Sequence, residues 1–556
     1  MRTLFLLLFL LPSYLAAEPL QKNGNHITYL IKTHKYETAI ELYQKQKKER
    51  HDFELLEQMA QIILEQGAKS SNPEEQLISI AAAASVGMVP QTEILLSGIT
   101  SSNPHVALAT IRLLSQVQDD KCEQLLSRAM ASPFLPIRME AAYQMAIRKH
   151  RAISGHIEAL MNRLPPPFRV YFPEFFALIG STDAISTLKR MIDDPIRDVR
   201  IEALLASARF GRDDLLPVIR RHAAVGLELE TCAYALGALK DSSSAPLLRA
   251  LTENADASVQ LAAIKALSLL GDSSYLPKVS ALAKSGNLFA INLLGENLNA
   301  PGSEEILLSL SSSKNPSERL DALIALLNRK DARCLPGLYD FLLEDSSNLA
   351  IYPSFSSGRS LLMWKIAPSA RQLEKKTGYA YEGQSWSVRE QLLRQCRDLP
   401  EDAFLEVAEK VFAKNQVQLI PTTVLLLEKM RTEKTRELLK ANANRVGAPL
   451  IRNYCTLALF RMKEPGNYRE ILLRFVQDNK KQELFQFKPP VARNPLIPSA
   501  QFELQPEESS RLLLETYEAL SETHDEKVLD LLLEVFKEGS EINRCLLAGA
   551  LLKTLQ

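Results

Sequence analysis

The sequence of 556 residues predicts an all-α protein: an α-solenoid of paired antiparallel helices with a period of about 31 residues, interrupted by an aromatic-rich insertion. Three observations predict this fold. Helix-ending residues recur at a nearly constant spacing, a small side chain recurs eight residues before most of them, and a proline recurs six residues after several of them. A two-helix unit this short cannot bury its apolar face alone, so neighbouring units must stack.

One repeat unit can be followed through its residues. Pro195 cannot continue the preceding helix but is tolerated at the start of the next one. Apolar or small residues from Val199 to Phe210 then follow the three-to-four spacing of one helix face. Gly211 can adopt the left-handed conformation that ends a helix, and Pro217 suits the first turn of the following helix.

The same pattern recurs along the chain. The helix-ending positions are Gly87, Gln118, Lys149, Gly180, Gly211, Lys240 and Gly271, separated by 31, 31, 31, 31, 29 and 31 residues, with Lys330 a further 59 residues on. The prolines six residues later are Pro217, Pro246, Pro277 and Pro336. The small residues eight positions earlier are Ser79, Thr110, Ala141, Ala203, Cys232, Ala263 and Ala322, with Phe172 as the exception. We call this position the small slot, because two helices can approach closely only where the side chain is small.

The segments "DPIRDVRIEALLASARFG" and "ADASVQLAAIKALSLLGD" resemble HEAT repeats, specifically the short bacterial kind found in phycobilisome-lyase-like proteins. The resemblance covers 72–343 and returns near "APLIRNYCTLALFRM" and "SEINRCLLAGALL". It implies a binding scaffold for a protein or an envelope component rather than an enzyme. The alternative is a HEAT-fold enzyme of the bilin-lyase-like or DNA-glycosylase-like type.

The N-terminus predicts export. Met1 and Arg2 precede an apolar run that is followed by small residues, which is typical of a signal peptide spanning 1–17. A membrane-spanning helix needs roughly 20 apolar residues, whereas polar sequence begins at Glu18. We therefore expect no transmembrane segment after signal cleavage. The absence of a usable N-x-S/T sequon favours a bacterial, periplasmic or secreted protein.

The pattern also predicts domain boundaries. They are a helical hairpin cap at 18–71, the HEAT-like array at 72–343, an aromatic-rich irregular insertion at 344–388, further helical repeats at 389–482, a proline-rich excursion at 483–508 and a C-terminal helical cap at 509–556.

Composition and motifs argue against nucleic-acid binding and against a catalytic, metal-binding or cofactor-binding site. Lys plus Arg equals Asp plus Glu at 66 each, so no net charge attracts the chain to nucleic acid. We find no catalytic motif, no metal-ligand spacing and no cofactor-binding pattern. Cys232, Cys455 and Cys545 occupy small slots, and the repeat spacing separates the six cysteines, so we expect all six to be thiols even after export.

Two groups of residues are candidates for partner binding. Arg138, Arg169 and Arg200 lie 31 residues apart at the start of second helices, where they could bind a carboxylate or phosphate. The alternative is that each arginine pairs with acids and carbonyls of its own neighbourhood.

The second group lies in the insertion, where the repeat pattern fails. It consists of Tyr352, Phe355, Trp364, Tyr379, Tyr381 and Trp386. Rigid aromatic side chains are favoured anchors at interfaces. The alternative is that these aromatic residues fold the insertion back onto the solenoid.

Overall fold

A computed structural model describes residues 24–47, 50–86, 92–114, 120–150, 153–296, 298–344, 349–367, 382–484 and 508–556. The predicted signal peptide, Gly87, Gln118, Tyr379, Tyr381 and nearly all of the proline-rich excursion lie outside these residues. The described chain is an α-solenoid interrupted by a β-hairpin, which confirms the predicted fold class.

Helices occupy most of the described chain. The first helices are α1 (24–32), α2 (Tyr36–Gln46), α3 (Phe53–Ala68), α4 (Pro73–Ser85), α5 (Thr92–Ile99), α6 (Pro104–Leu114), α7 (Asp120–Ala129) and α8 (Leu135–Ile147). They are followed by α9 (Ile153–Arg163), α10 (Pro173–Ile179), α11 (Thr182–Ile192), α12 (Arg197–Arg209), α13 (Leu216–Ala224), α14 (Leu229–Ala238), α15 (Ala245–Leu251) and α16 (Ala257–Leu269). The array continues through α17 (Leu276–Lys284), α18 (Leu288–Leu294), α19 (Ser303–Leu310), α20 (Pro316–Asn328) and α21 (Leu335–Leu342).

A two-stranded antiparallel sheet and further helices follow in the described residues. The strands are β1 (Ala350–Phe355) and β2 (Leu362–Ala367). The helices are α22 (Glu382–Cys396), α23 (Glu401–Ala413), α24 (Ile420–Met430), α25 (Glu433–Ala443), α26 (Pro449–Arg461), α27 (Tyr468–Asp478), α28 (Glu508–Ser521), α29 (Glu526–Glu538) and α30 (Arg544–Leu555).

The helix-ending positions have the backbone conformation that the pattern predicts. The φ angles are 55° at Lys149, 63° at Gly180, 64° at Gly211, 55° at Lys240, 92° at Gly271 and 61° at Lys330. All of these lie in the left-handed region, which ends a helix by turning the chain away from its axis. The four predicted prolines lie in the first turns of α13, α15, α17 and α21.

The small slots are buried where helices pack. Ser79, Thr110, Ala141, Ala203, Cys232, Ala263 and Ala322 are each 0% exposed. Close approach is visible at Gly237 of α14, where an added Cβ would lie 2.5 Å from the Cα of Ala266 in α16. Second helices of adjacent repeats therefore meet through small residues, as the slot requires.

The repeat with Phe172 departs from this pattern. Phe172 and Phe176 are both fully buried, and α10 is shortened to seven residues. The preceding Pro166–Tyr171 forms a 3₁₀ helix. Arg169 consequently lies in this 3₁₀ helix instead of at the second residue of a second α-helix.

Contacts divide the chain into two compact units. Unit 1 comprises Met1–Gln144 with Leu439–Gln556, and unit 2 comprises Met145–Leu438. In unit 1 the two ends of the chain pack together, since α30 contacts α3 and α4. An added Cβ on Gly67 of α3 would lie 2.5 Å from the Sγ of Cys545 in α30. The predicted domain boundaries themselves stay predictions.

The close approach of α14 and α16 gives a stability test. We expect Gly237→Ala to lower the free energy of unfolding by about 1 to 3 kcal/mol, because the new methyl group would overlap backbone atoms of Ala266. The matched control is Gly155→Ala in α9, where an added Cβ meets nothing within 4 Å and the helix should gain up to about 1 kcal/mol. Urea unfolding of both variants measures the difference; equal effects would contradict close packing at Gly237.

Candidate functional site: a hairpin on the second helices of unit 2

The β-hairpin lies within unit 2 and contacts second helices of several repeats. Residues 356–361 connect its strands, and the N–H of Ser356 donates to the carbonyl of Leu361 at 3.0 Å. Pro353 lies opposite Trp364 in the register. Since the pair of Ser356 and Leu361 is hydrogen-bonded, the antiparallel alternation makes Pro353 and Trp364 a non-hydrogen-bonded pair, so the N–H of Trp364 points away from β1 and bonds outside the sheet.

Glu230, in the first turn of α14, binds residues 356–361, which form the tip of the hairpin. Glu230 is only 4% exposed. The carboxylate accepts hydrogen bonds from the N–H of Gly358 at 2.9 Å, from the N–H and hydroxyl of Ser360 at 3.3 and 2.7 Å, and from the hydroxyl of Ser356. Four donors from one turn thus surround a single buried acid, which compensates for its burial.

The geometry of the tip is specific. Thr231, which is fully buried, donates its hydroxyl to the carbonyl of Gly358 at 2.9 Å. An added Cβ on Gly358 would lie 2.6 Å from the Cδ of Glu230, so only glycine fits this approach. At the rim, Arg359 forms ion pairs with Glu202 and, at 3.4 Å, with Asp198 of α12. These rim pairs are exposed and contribute little stability compared with the buried bonds.

The stem of the hairpin, formed by β1 and β2, is held by Asp321 of α20. Its Oδ1 accepts the N–H of Trp364 at 2.8 Å and the side-chain amide of Asn292 in α18. Asp321 is 0% exposed, and its Oδ2 has no hydrogen-bond partner. Burial raises the pKa of Asp321 to about 7, although both hydrogen bonds act in the opposite direction.

The residues that hold the hairpin share one position in the repeat. Glu202, Thr231 and Asp321 each directly precede a small slot, and Asn292 lies 29 residues before Asp321. The sequence interpretation missed these four residues and Glu230. A polar side chain next to a small slot, within a helix otherwise rich in Ala and Leu, is the signal that could have revealed them.

The predicted aromatic residues have different surroundings. Phe355 is 58% exposed, whereas Trp364 is 7% exposed. Tyr352 is half-buried and packs against a small cluster formed by Ala350 and Ala367. The exposure of Phe355 suits a contact with another molecule, whereas Trp364 packs within unit 2.

Trp386, in α22, is half-buried and stacks against a fully buried arginine. The guanidinium of Arg389 lies 4.9 Å from the centre of the Trp386 ring. Arg389 is itself 0% exposed and donates to the carbonyls of Phe341 and Leu349 at 3.0 and 2.8 Å. Trp386 thus covers an arginine that links the insertion to the end of α21.

The three predicted arginines make intramolecular contacts. Arg138 donates to the carbonyls of Ser132 and Pro133 at 2.7 and 3.2 Å. Arg169 pairs with Asp194 at 3.3 Å. These are the contacts expected if each arginine pairs with acids and carbonyls of its own neighbourhood. Partner binding by these arginines stays a prediction.

Arg200 bonds in the same way as Arg138. It donates to the carbonyls of Asp194 and Pro195 at 2.9 and 3.1 Å, and it also pairs with Glu228 at 2.6 Å. In both cases the acceptors lie six and five residues earlier, in the turn before the helix. The shared contact explains why arginine recurs here without reference to a partner.

The cysteines lie in the interior. Cys122, Cys232, Cys334, Cys396, Cys455 and Cys545 are all buried, and none forms a disulfide bond. The pKa of the Cys396 thiol is raised to about 12, mainly by burial and also by the nearby Cys334.

In the described ranges no helix has both the length and the apolar character needed to cross a bilayer. The same part of the chain contains no group of three or more His, Cys, Asp or Glu side chains placed to hold a metal ion.

Comparisons with known proteins reveal distant similarities only. No protein-family model and no curated protein matches the chain. A crystal structure of importin beta is similar at 12% identity and a TM-score of 0.33, over 97% of this chain and 84% of that one. The crystal structure of Kap121p is similar at 11% identity and a TM-score of 0.32, over 91% and 73%. Identities and TM-scores this low say nothing about what this chain binds.

Glu230 gives a test of how the tip is held. We expect Glu230→Ala to lower the free energy of unfolding by about 3 kcal/mol, because buried N–H groups of Gly358 and Ser360 lose their acceptor. The matched control is Glu202→Ala, which removes a partly exposed ion pair with Arg359 and should cost no more than about 1 kcal/mol. Chemical denaturation measures both; an equal cost would show that the buried bonds do not hold the tip.

Proposed function

We propose that the chain is an exported HEAT-repeat scaffold that binds another protein or an envelope component through the exposed side of its hairpin. The observation that carries this proposal is Phe355, a large aromatic side chain that is 58% exposed beside a firmly bound turn. A solenoid explains apolar residues that pack between neighbouring helices. It gives no structural reason for an exposed phenylalanine on an added hairpin.

The hairpin has the rigidity that an interface anchor needs. Ser356, the residue after Phe355, bonds to Glu230, and Trp364 bonds to Asp321. Fixing the connecting turn and the middle of β2 reduces the conformational entropy that would be lost on binding. Phe355 is therefore presented in a nearly fixed position, as aromatic residues at interface hot spots are.

Trp364 has a different role in this proposal. Because it is buried, it anchors the hairpin to the helices instead of meeting the partner. Trp386 is in an intermediate position and stabilises Arg389. Partner binding is thus assigned to Phe355; the half-buried Tyr352, three residues earlier on the same strand, lies on the opposite face of the hairpin and is a separate candidate.

The remaining details are also proposals. The repeats resemble the short bacterial type, and the N-terminal sequence favours a periplasmic or secreted bacterial protein. The balanced charge supports a protein or envelope partner over nucleic acid. The alternative of a bilin-lyase-like or DNA-glycosylase-like enzyme has no supporting observation in the part of the chain that the structure describes.

Site-specific crosslinking tests the proposed surface. A photoreactive phenylalanine at position 355 should give a discrete adduct in native cells, which mass spectrometry identifies. The control position is Leu269, which is 51% exposed but lies on the repeat array. We then expect Phe355→Ala to cost about 2 kcal/mol of affinity for the identified partner, with an unchanged melting temperature.

Trp364→Ala is the contrasting variant in the same binding experiment. It should cost roughly 3 to 5 kcal/mol of stability, because a buried ring is removed. Equal adducts from positions 355 and 269, or unchanged affinity of Phe355→Ala, would exclude Phe355 as the anchor.

Export is tested separately. If the apolar run from Leu4 to Leu11 belongs to a cleaved signal, N-terminal sequencing of the mature protein should begin at or near Glu18. Recovery of the chain from fractionated cells with Met1 intact would contradict export by this route.

A further inference from the structure

Asp321 is a titratable group that lies beneath the bound hairpin with its charge only partly compensated. One oxygen accepts both hydrogen bonds, from Trp364 and Asn292, while the other has no hydrogen-bond partner. The residue is completely buried. A carboxylate in such a place is unfavourable unless its oxygens are well bonded, whereas the protonated form loses little on burial.

Neither partner of Asp321 carries a charge, since Trp364 bonds through its backbone N–H and Asn292 through its side-chain amide. Helix α18 has the sequence LFAINLL and therefore contains no titratable residue. Among residues whose side chains the structure describes, the charged ones on elements that contact α20 are Glu304 and Glu305 on α19, Arg333 in 332–334, Asp340 on α21, Lys365 on β2, and Arg389, Glu390 and Arg394 on α22; α20 itself has Glu318 and Arg319. The pKa of Asp321 is governed mainly by burial and by its two hydrogen bonds.

The direction of the pH effect follows from this environment. Burial raises the pKa of Asp321 from 3.8 to about 7 when the hairpin is bound. If the hairpin leaves, the carboxyl group meets water and its pKa falls toward the ordinary value. The bound hairpin therefore has its full stability below about pH 4, loses stability as the pH rises and has lost this contribution above about pH 7.

We infer that Asp321 is a protonation-dependent latch that fixes β2 on α20, so that acidification tightens the hairpin and neutral to alkaline conditions loosen it. The link to binding rests on the proposed function, because Phe355 lies opposite Leu362 in the register, two residues from Trp364. Tightening of β2 then holds the partner surface in place at acidic pH. The surface becomes more mobile as the pH rises.

Amide hydrogen exchange of the Trp364 N–H tests the latch without any partner. After correction for the intrinsic exchange rate, its protection factor should fall about tenfold per pH unit between pH 5 and 7 and then level off. Asp321→Asn keeps an acceptor for Trp364 but cannot ionise, so its protection factor should not change with pH over this range. Asn292→Ala removes a donor that favours the ionised form, so the fall should shift to higher pH.

Control amides distinguish the latch from general unfolding. The N–H of Arg200 in α12 bonds to the carbonyl of Ile196 at 3.2 Å, away from Asp321, and its protection should not vary with pH. A wild-type Trp364 protection factor that is constant from pH 5 to 7, or one that falls equally in Asp321→Asn, would overturn the latch. Because the measurement needs no partner, such a failure leaves the crosslinking result at Phe355 unaffected.

Discussion

The structure of unit 2 depends on the close approach of second helices through small side chains. Ala203, Cys232, Ala263 and Ala322 are all fully buried, and Gly237 meets Ala266 without room for a Cβ. Close packing at one position fixes the rotation of each helix about its axis. The residue directly before each small slot is therefore carried to an equivalent place in successive repeats, where Glu202, Thr231 and Asp321 hold the hairpin.

The hairpin is attached by two acids with different compensation. Glu230 accepts four hydrogen bonds from the tip, which leaves its charge well bonded. Asp321 shares one oxygen between two donors and leaves the other without a partner. The contact of the tip with Glu230 is therefore specific and requires glycine at position 358. The contact of the stem with Asp321 responds to protonation. A single hairpin combines a firm attachment with an adjustable one, and its exposed Phe355 directly precedes the firm one in sequence.

The periodic part of this fold could be predicted from the sequence because each of its contacts repeats locally. Left-handed residues such as Gly211, prolines such as Pro217 and small slots such as Ala203 all follow from rules that act within one or two turns. The hairpin could not be predicted in this way. Its strands are short and contain Pro353, and Glu230 meets its partners 126 to 130 residues away in sequence.

The edges of the two strands of this hairpin are poorly suited to pairing with a further strand. An unpaired strand edge invites another strand to add to the sheet. Here Pro353 removes an N–H from one edge, and Asp321 takes the N–H of Trp364 on the other. Pro353 and Trp364 are opposite each other in the register, so a strand added to either edge would lack a hydrogen bond at this pair. The partner proposed for this hairpin would therefore recognise its side chains, of which Phe355 is the most exposed large apolar one.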